Sequence, residues 1–339
     1  MRPRLRMAAL SLPFALVLAG CAGAEEAPTS TDAPAAGQWP GEMTLYIPNA
    51  PGGGFDIAAR ALQPALAEQL GESVVPTNLE GAGGAIAATQ MLDDPADGTA
   101  MMITSRSIAS VPYTGTPEID PVLHLAPIGV THQDVSALTV RADAPYDTVA
   151  EFLDHARANP GGVRIGTAGT GGVWHAAGLL LARAAGVEFT FIPYDGGSSA
   201  GNALVAGEID AVTIGAPETR PFVEGGDARM LAVMGEERSS LYPGVPTLQE
   251  QGIDVTYAVW RGYVVDAETP EPVRLELAER VRAAAEDPAY QTAMAGAGFE
   301  TTWIGPAEFG ELITQEDELI RQLFAGEDFM TTRPERVPN

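Results

Sequence analysis

Two glycine-rich loops are the places in this 339-residue chain where residue type and spacing suit binding chemistry. The first is Pro51-Gly52-Gly53-Gly54-Phe55-Asp56. The second is Ala168-Gly169-Thr170-Gly171-Gly172-Val173-Trp174-His175. Each follows a β-forming run and opens a helical pattern. Glycine permits positive φ and lets a ligand approach the backbone. A helix start adds unpaired N–H groups and partial positive charge, which suits a carboxylate. Two such starts facing one another across a cleft could hold both ends of a diacid without a buried lysine or arginine. A single loop of this kind is as readily explained by a tight turn, but a matched pair in opposite halves argues for binding.

Catalysis finds less support. Gly197-Ser198-Ser199-Ala200-Gly201 fits G-x-S-x-G between a strand and a helix. A serine hydrolase of that fold needs a histidine base later in the chain. Here His124, His132, His155 and His175 all precede Ser199, so helix capping is the better reading of Ser198 and Ser199. The histidines lack metal-ligand spacing, and there is no phosphate-binding loop or dinucleotide fingerprint. No metal, cofactor or catalytic residue is implied. His175 is read as a hydrogen-bonding or packing residue.

Alternating elements must position the two loops. Strands are predicted at Met43–Pro48, Val74–Thr77, Ala100–Thr104, Ile128–Val130, Ser136–Val140, Val163–Thr167, Phe189–Pro193, Ala211–Ile214 and Met230–Met234. Helices are predicted at Asp56–Leu70, with Ile57 on the apolar face and a kink at Pro64, and at Ala85–Leu92, Thr148–Ala158, Trp174–Ala185 and Ser199–Ala206. Two tail helices, Val273–Glu286 and Ala307–Phe324, are expected to pack on the first lobe. This alternation predicts an α/β protein of two lobes, each a mainly parallel sheet flanked by helices, with ligand outside the carboxyl ends of strands.

Composition bounds the function. Hydrophobic residues make up 45%, enough for sizeable cores, and the length suits two domains. A net charge of −26 repels phosphate backbones, so nucleic acid is not a partner. At the N-terminus, Arg2, Arg4 and Arg6 precede the apolar stretch Met7–Leu18, which is too short to span a bilayer. Leu18-Ala19-Gly20-Cys21 follows and resembles a bacterial lipobox. Residues 1–20 are therefore read as a lipoprotein signal peptide, Cys21 as the lipidation site and 21–39 as a flexible tether. Cys21 is the only cysteine, so no intramolecular disulfide forms.

The ordered motifs resemble the substrate-binding proteins of the tripartite tricarboxylate transporter, or Bug, family over about residues 40–325. The matching residues are Ile47-Pro48-Asn49-Ala50 through Asp56 to Arg60, Asn78, Gly81-Ala82-Gly83-Gly84, Asp97-Gly98, Gly166 to Gly172 with His175, Ile192-Pro193-Tyr194-Asp195-Gly196-Gly197, Trp260, Gly262 and Thr269-Pro270. The resemblance implies a two-lobe periplasmic-binding fold, type II-like, with the first lobe at 40–140 plus 256–334 and the second at 141–255. It implies a small carboxylate ligand held mostly by backbone N–H groups, hydroxyls and water. The implied contacts are Pro51, Gly52, Gly53, Gly54, Phe55, Asp56 and Ser105 from the first lobe. From the second they are Thr167, Thr170, Gly171, Gly172, His175, Gly215 and Ala216. Phe55 and Trp174 depart from the family's small polar residues and suggest an apolar ligand wall. Arg106 and Arg261 lie beside site segments, and surface or interlobe pairing is the favoured reading for both. The resemblance further implies a monomeric, membrane-anchored lipoprotein delivering ligand to two integral-membrane subunits. A lipoprotein that reports a metabolite to a membrane kinase would carry the same site, and an esterase using Ser199 is the remaining alternative.

Overall fold

The computed structural model describes residues 39–116, 118–328 and 330. The signal segment, Cys21 and nearly all of the tether range lie outside them. Trp39, the last residue of that range, is 3% exposed and packs beside Gly98 and Val273, so it belongs to the folded body.

The strands are β1 (Met43–Ile47), β2 (Val74–Asn78), β3 (Ala100–Ser105), β4 (Leu125–Arg141), β5 (Val163–Ala168), β6 (Phe189–Tyr194), β7 (Ala211–Gly215), β8 (Ala228–Val233), β9 (Ala258–Asp266) and β10 (Glu300–Ile304). The helices are α1 (Gly54–Leu70), α2 (Ala85–Asp93), α3 (Pro121–His124), α4 (Val149–Ala158), α5 (Val173–Ala185), α6 (Gly197–Val205), α7 (Ala216–Glu224), α8 (Glu271–Ala285), α9 (Pro288–Gly296) and α10 (Pro306–Leu323). A 3-10 segment, Arg106–Tyr113, follows β3.

Strand order is β2-β1-β3-β9-β4-β7-β5-β6, with β8 and β10 also on β4. The outer strands pair in parallel, β1 with β2 and β3, and β5 with β6 and β7. Antiparallel pairs gather at the centre, around β4 and β9. The result is a two-lobe α/β architecture. Strands β1, β2, β3, β9 and β10 build the first lobe's sheet, and β5 to β8 build the second's.

Strand β4 serves both sheets. Its residues Leu125 to Val135 pair with β9, while Ser136 to Arg141 pair with β7 and β8. The two strands expected at Ile128–Val130 and Ser136–Val140 are thus one. The change of sheet falls between Val135 and Ser136 rather than after residue 140. Polar residues in between hid the continuity, yet Thr131, His132 and Asp134 are all buried.

Helix α1 shows how pattern becomes packing. Leu62, Leu66 and Leu70 repeat every four residues and are buried against the first lobe's sheet. Gly71, at φ 72°, closes the helix in the left-handed region. The helix continues through Pro64, which sits on the exposed face, where water can meet the freed carbonyl. Ile57 is 38% exposed rather than buried, because it lies in the first turn, off that apolar stripe.

Helix α8 packs on α1 in the first lobe's core, as expected of it. Helix α10 does not stay in one lobe. Phe309 and Ile313 join a cluster with Val130 and Trp260, while Ile320 and Leu323 join the second lobe's core. The Arg183 Nη1 of α5 donates to the Gln322 carbonyl at 3.4 Å.

Candidate functional site

Both glycine loops stand where a strand gives way to a helix, and no side chain caps either helix. Gly53 is the N-cap of the 17-residue α1, at φ −76° and ψ 168°. Gly172 is the N-cap of the 13-residue α5, at φ −76° and ψ 173°. The N–H groups of each first turn therefore face outward with the helix dipole behind them. Gly52 (φ 84°) and Gly171 (φ 71°) take positive φ, which a side chain would strain. A third uncapped start, at α6, follows Gly196. Ser198 and Ser199 lie inside that helix and cap nothing, contrary to the sequence reading.

The loop N–H groups are less free than the sequence suggests. The Gly52 N–H donates to Asp56 Oδ2 at 2.8 Å. Arg60 Nε and Asn78 Nδ2 donate to Asp56 Oδ1 at 2.7 and 3.0 Å. Burial pushes the Asp56 carboxyl up, but these donors outweigh it and hold it below the usual range. Asp56 is thus a brace that shapes the loop. Asn78 extends the brace by donating to the Asn49 carbonyl at 2.8 Å. In the second lobe, the Gly171 N–H donates to His175 Nδ1 at 2.9 Å. Burial lowers the His175 pKa to about 4, so the ring is neutral at pH 7 and accepts that bond. The Gly215 N–H donates to Glu218 Oε2 at 3.1 Å, in the position of a capping box at the start of α7.

The remaining predicted contacts divide by exposure. Pro51, Gly52 and Thr170 are exposed, and Gly53, Gly54 and Gly172 are partly so. Phe55 is buried in the first lobe's core beneath the Arg261 guanidinium and supports that group. Trp174 is likewise buried, with its ring against Gly215. Ser105 is buried at the end of β3, opposite Arg261 in the strand register, and caps the following 3-10 segment. Thr167 is buried and donates to the Gly169 carbonyl at 3.3 Å. Gly215 and Ala216 are buried beside Trp174 and Glu218.

Three ionisable residues join this region, two of them absent from the sequence reading. Arg261 of β9 pairs with Asp134 of β4 at 3.0 Å, both side chains being nearly inaccessible. Burial raises Asp134 to about 6, against the opposing pull of Arg261. Burial also raises Glu218 to about 7, with Arg261 drawing it down and Asp134 pushing it up. Glu218 announced itself only as G-x-x-E spacing from Gly215. Asp134 lies in a polar stretch that reads as a loop. Arg106 has a different role: it pairs with Glu316 of α10 and donates to the Ala258 carbonyl.

The sequence profile described as "Tripartite tricarboxylate transporter family receptor" matches residues 58–323. The "UPF0065 protein in gbd 5'region" of Cupriavidus necator is 31% identical over 285 residues, 83% of this chain and 87% of that one. A TctC solute-binding protein from Polaromonas, solved without ligand, is 29% identical with a TM-score of 0.72, covering 84% of this chain and 98% of its own. The R. palustris protein Rpa4515, solved with adipate, is 26% identical with a TM-score of 0.77, covering 85% of this chain and 98% of its own.

Proposed function

The chain belongs to the tripartite tricarboxylate transporter receptor family, and from that premise we propose that it is a lipoprotein that captures a small di- or tricarboxylate, or a related organic acid, by lobe closure. Receptors of this family are extracytoplasmic solute-binding proteins rather than enzymes, and they work with membrane transporter components. In this reading the N-terminal signal is removed, Cys21 carries the lipid, and a monomer hands its ligand to two integral-membrane subunits. With the crossing at Val135 and Ser136, the first lobe in this reading takes 40–135 plus 256–334 and the second 136–255, with the ligand between the loop at Pro51 to Asp56 and the loop at Thr167 to His175.

One observation carries the reading: two long helices, one in each lobe, begin at glycines with no side-chain cap. They give an acidic chain two local sources of positive potential. The adipate bound by Rpa4515 supports a ligand with carboxylates.

Titration calorimetry of the mature protein with a panel of carboxylates tests this. Tight binding of at least one acid is expected, and replacing Gly171 by valine is expected to weaken it by about a hundredfold, roughly 2.7 kcal/mol. An unchanged affinity in Gly171→Val would place the ligand elsewhere. Cys21→Ser is expected to release the protein from membranes on fractionation, and retention would remove the lipid anchor from the account.

A further inference from the structure

Arg261 lies against the beginning of α1. A Cβ on Gly54, the first helical residue, would stand 3.1 Å from Arg261 Nη1 and 3.2 Å from Cζ and Nη2. The Phe55 and Phe299 rings flank the guanidinium at 5.3 and 5.1 Å. Asp134 forms an ion pair with Nη2 at 3.0 Å, but Nε and Nη1, like both Asp134 carboxylate oxygens, are buried without a hydrogen-bond partner among the described residues, in an Arg261 side chain only 6% exposed. A buried cation at the positive end of an uncapped helix is unfavourable by itself. An anion placed between the two satisfies both.

The second lobe presents the opposite sign. The Glu218 carboxyl lies at the starts of α6 and α7. It accepts from the Gly215 N–H at 3.1 Å, and any Cβ on Gly197 would run into it. The chain's own acid thus occupies ground that a second ligand carboxylate would otherwise use. Gly215, which donates to Glu218, pairs with Ser136 in the strand register, two residues along β4 from Asp134, so Glu218 lies near the Arg261–Asp134 pair, and both groups act on it electrostatically.

We propose that Arg261 Nη1 and the first turn of α1 grip the ligand's carboxylate while Glu218 accepts from a hydroxyl or ammonium substituent, so that this receptor selects donor-bearing acids over plain dicarboxylates. The inference rests on the carboxylate reading above and narrows it. Above pH 7, where Glu218 is ionised, a ligand carboxylate beside it is repelled, whereas a donor there completes a charge-assisted hydrogen bond. Discrimination by a site built to accept from one substituent exceeds what shape alone provides.

The test is calorimetry at about pH 8, with Glu218 ionised, on the mature protein with succinate, malate and aspartate, and with adipate and its 2-hydroxy and 2-amino forms. These series separate hydroxyl from ammonium at two chain lengths. The wild type is expected to prefer a substituted acid over its plain parent by about tenfold or more. Glu218→Gln is expected to shrink that ratio to about threefold or less. Arg261→Gln is expected to weaken every acid by about a hundredfold, and Arg261→Lys to recover part of the loss. Circular dichroism checks that each variant is folded, and Glu218→Gln reports independently if an Arg261 variant is not. A wild type that prefers the plain dicarboxylate, or an undiminished preference in Glu218→Gln, overturns the proposal while leaving carboxylate binding intact. Failure of the wild type to bind any of the six acids overturns this proposal, and failure across the wider carboxylate panel overturns the carboxylate reading with it.

Discussion

Arg106 and Arg261 are both largely buried, both paired with a buried acid, and both close to the junction of the lobes. All three nitrogens of Arg106 find acceptors. Nε meets Glu316 at 2.7 Å, Nη1 meets the Ala258 carbonyl at 2.7 Å, and Nη2 also meets Glu316. The Tyr257 ring lies 4.0 Å beneath the guanidinium. Among the described residues Arg261 has only Asp134 through Nη2, and its other two nitrogens lie buried and unmatched beside a helix start. The contrast separates two uses of a buried cation. A fully matched one fixes architecture, here joining β9, α10 and the 3-10 segment after β3. A partly matched one leaves donors that a ligand can complete.

The sharpest way to break this contrast is to remove Arg106. Arg106→Ala leaves Glu316 buried without its partner and is expected to cost about 3–5 kcal/mol in urea unfolding. Carboxylate affinity of the folded protein should change by less than about threefold. Loss of binding without loss of stability would reverse the two roles.

Glu218→Gln ranks next. Glu218 is held near 7 in the folded protein, against an ordinary 4.5, mainly by burial. The folded state therefore binds this proton more tightly than the unfolded state, and the associated stability is lost as pH rises from about 4.5 to about 7. The glutamine variant should be more stable than the wild type by about 1–3 kcal/mol near pH 8 and nearly equal near pH 4. Melting curves across this range would show it, and a pH-independent difference would refute the assignment.

Gly54→Ala should have a smaller effect. The methyl group would push on the guanidinium, weakening carboxylate binding by about three- to tenfold while stability moves by less than about 1 kcal/mol. Equal affinity would mean that Arg261 does not need its place on Gly54. Smallest of all is Tyr257→Phe. The Tyr257 hydroxyl is buried without a hydrogen-bond partner among the described residues. Its removal should stabilise by up to about 1 kcal/mol and leave the ring under Arg106. A loss of more than that would show the hydroxyl to be part of the joint.

Much of this was legible in the chain. The α/β alternation, the parallel outer strands and both helix-opening glycine loops follow from local patterns. What remained hidden depends on contacts between distant segments. Strand β9 carries Arg261 within an otherwise apolar run, and its polarity makes sense only beside Asp134. The stretch Thr131 to Asp134 reads as a break in β4 because its partners lie far along the chain. Thr131 accepts from the Tyr290 hydroxyl at 3.0 Å, and Asp134 meets Arg261. The loop amides form the reverse case. Their acceptors are only three or four residues away, at Asp56, His175 and Glu218, yet residue types alone gave no sign that the chain would satisfy its own donors.

Because β4 runs unbroken from one sheet into the other, the phase of its pleat is common to both lobes. Register shifts between Pro127 and Gly129 and between Val130 and His132 break the alternation in the first part of β4, but the register is continuous from His132 to Val135 with β9 and from Ser136 to Val140 with β7, so over this stretch the residue count fixes which surfaces look at one another. One residue inserted there would keep each sheet's internal pairing possible but turn one lobe's inner face outward relative to its partner. The mutual aim of the two halves is thereby encoded in the length of a single extended segment.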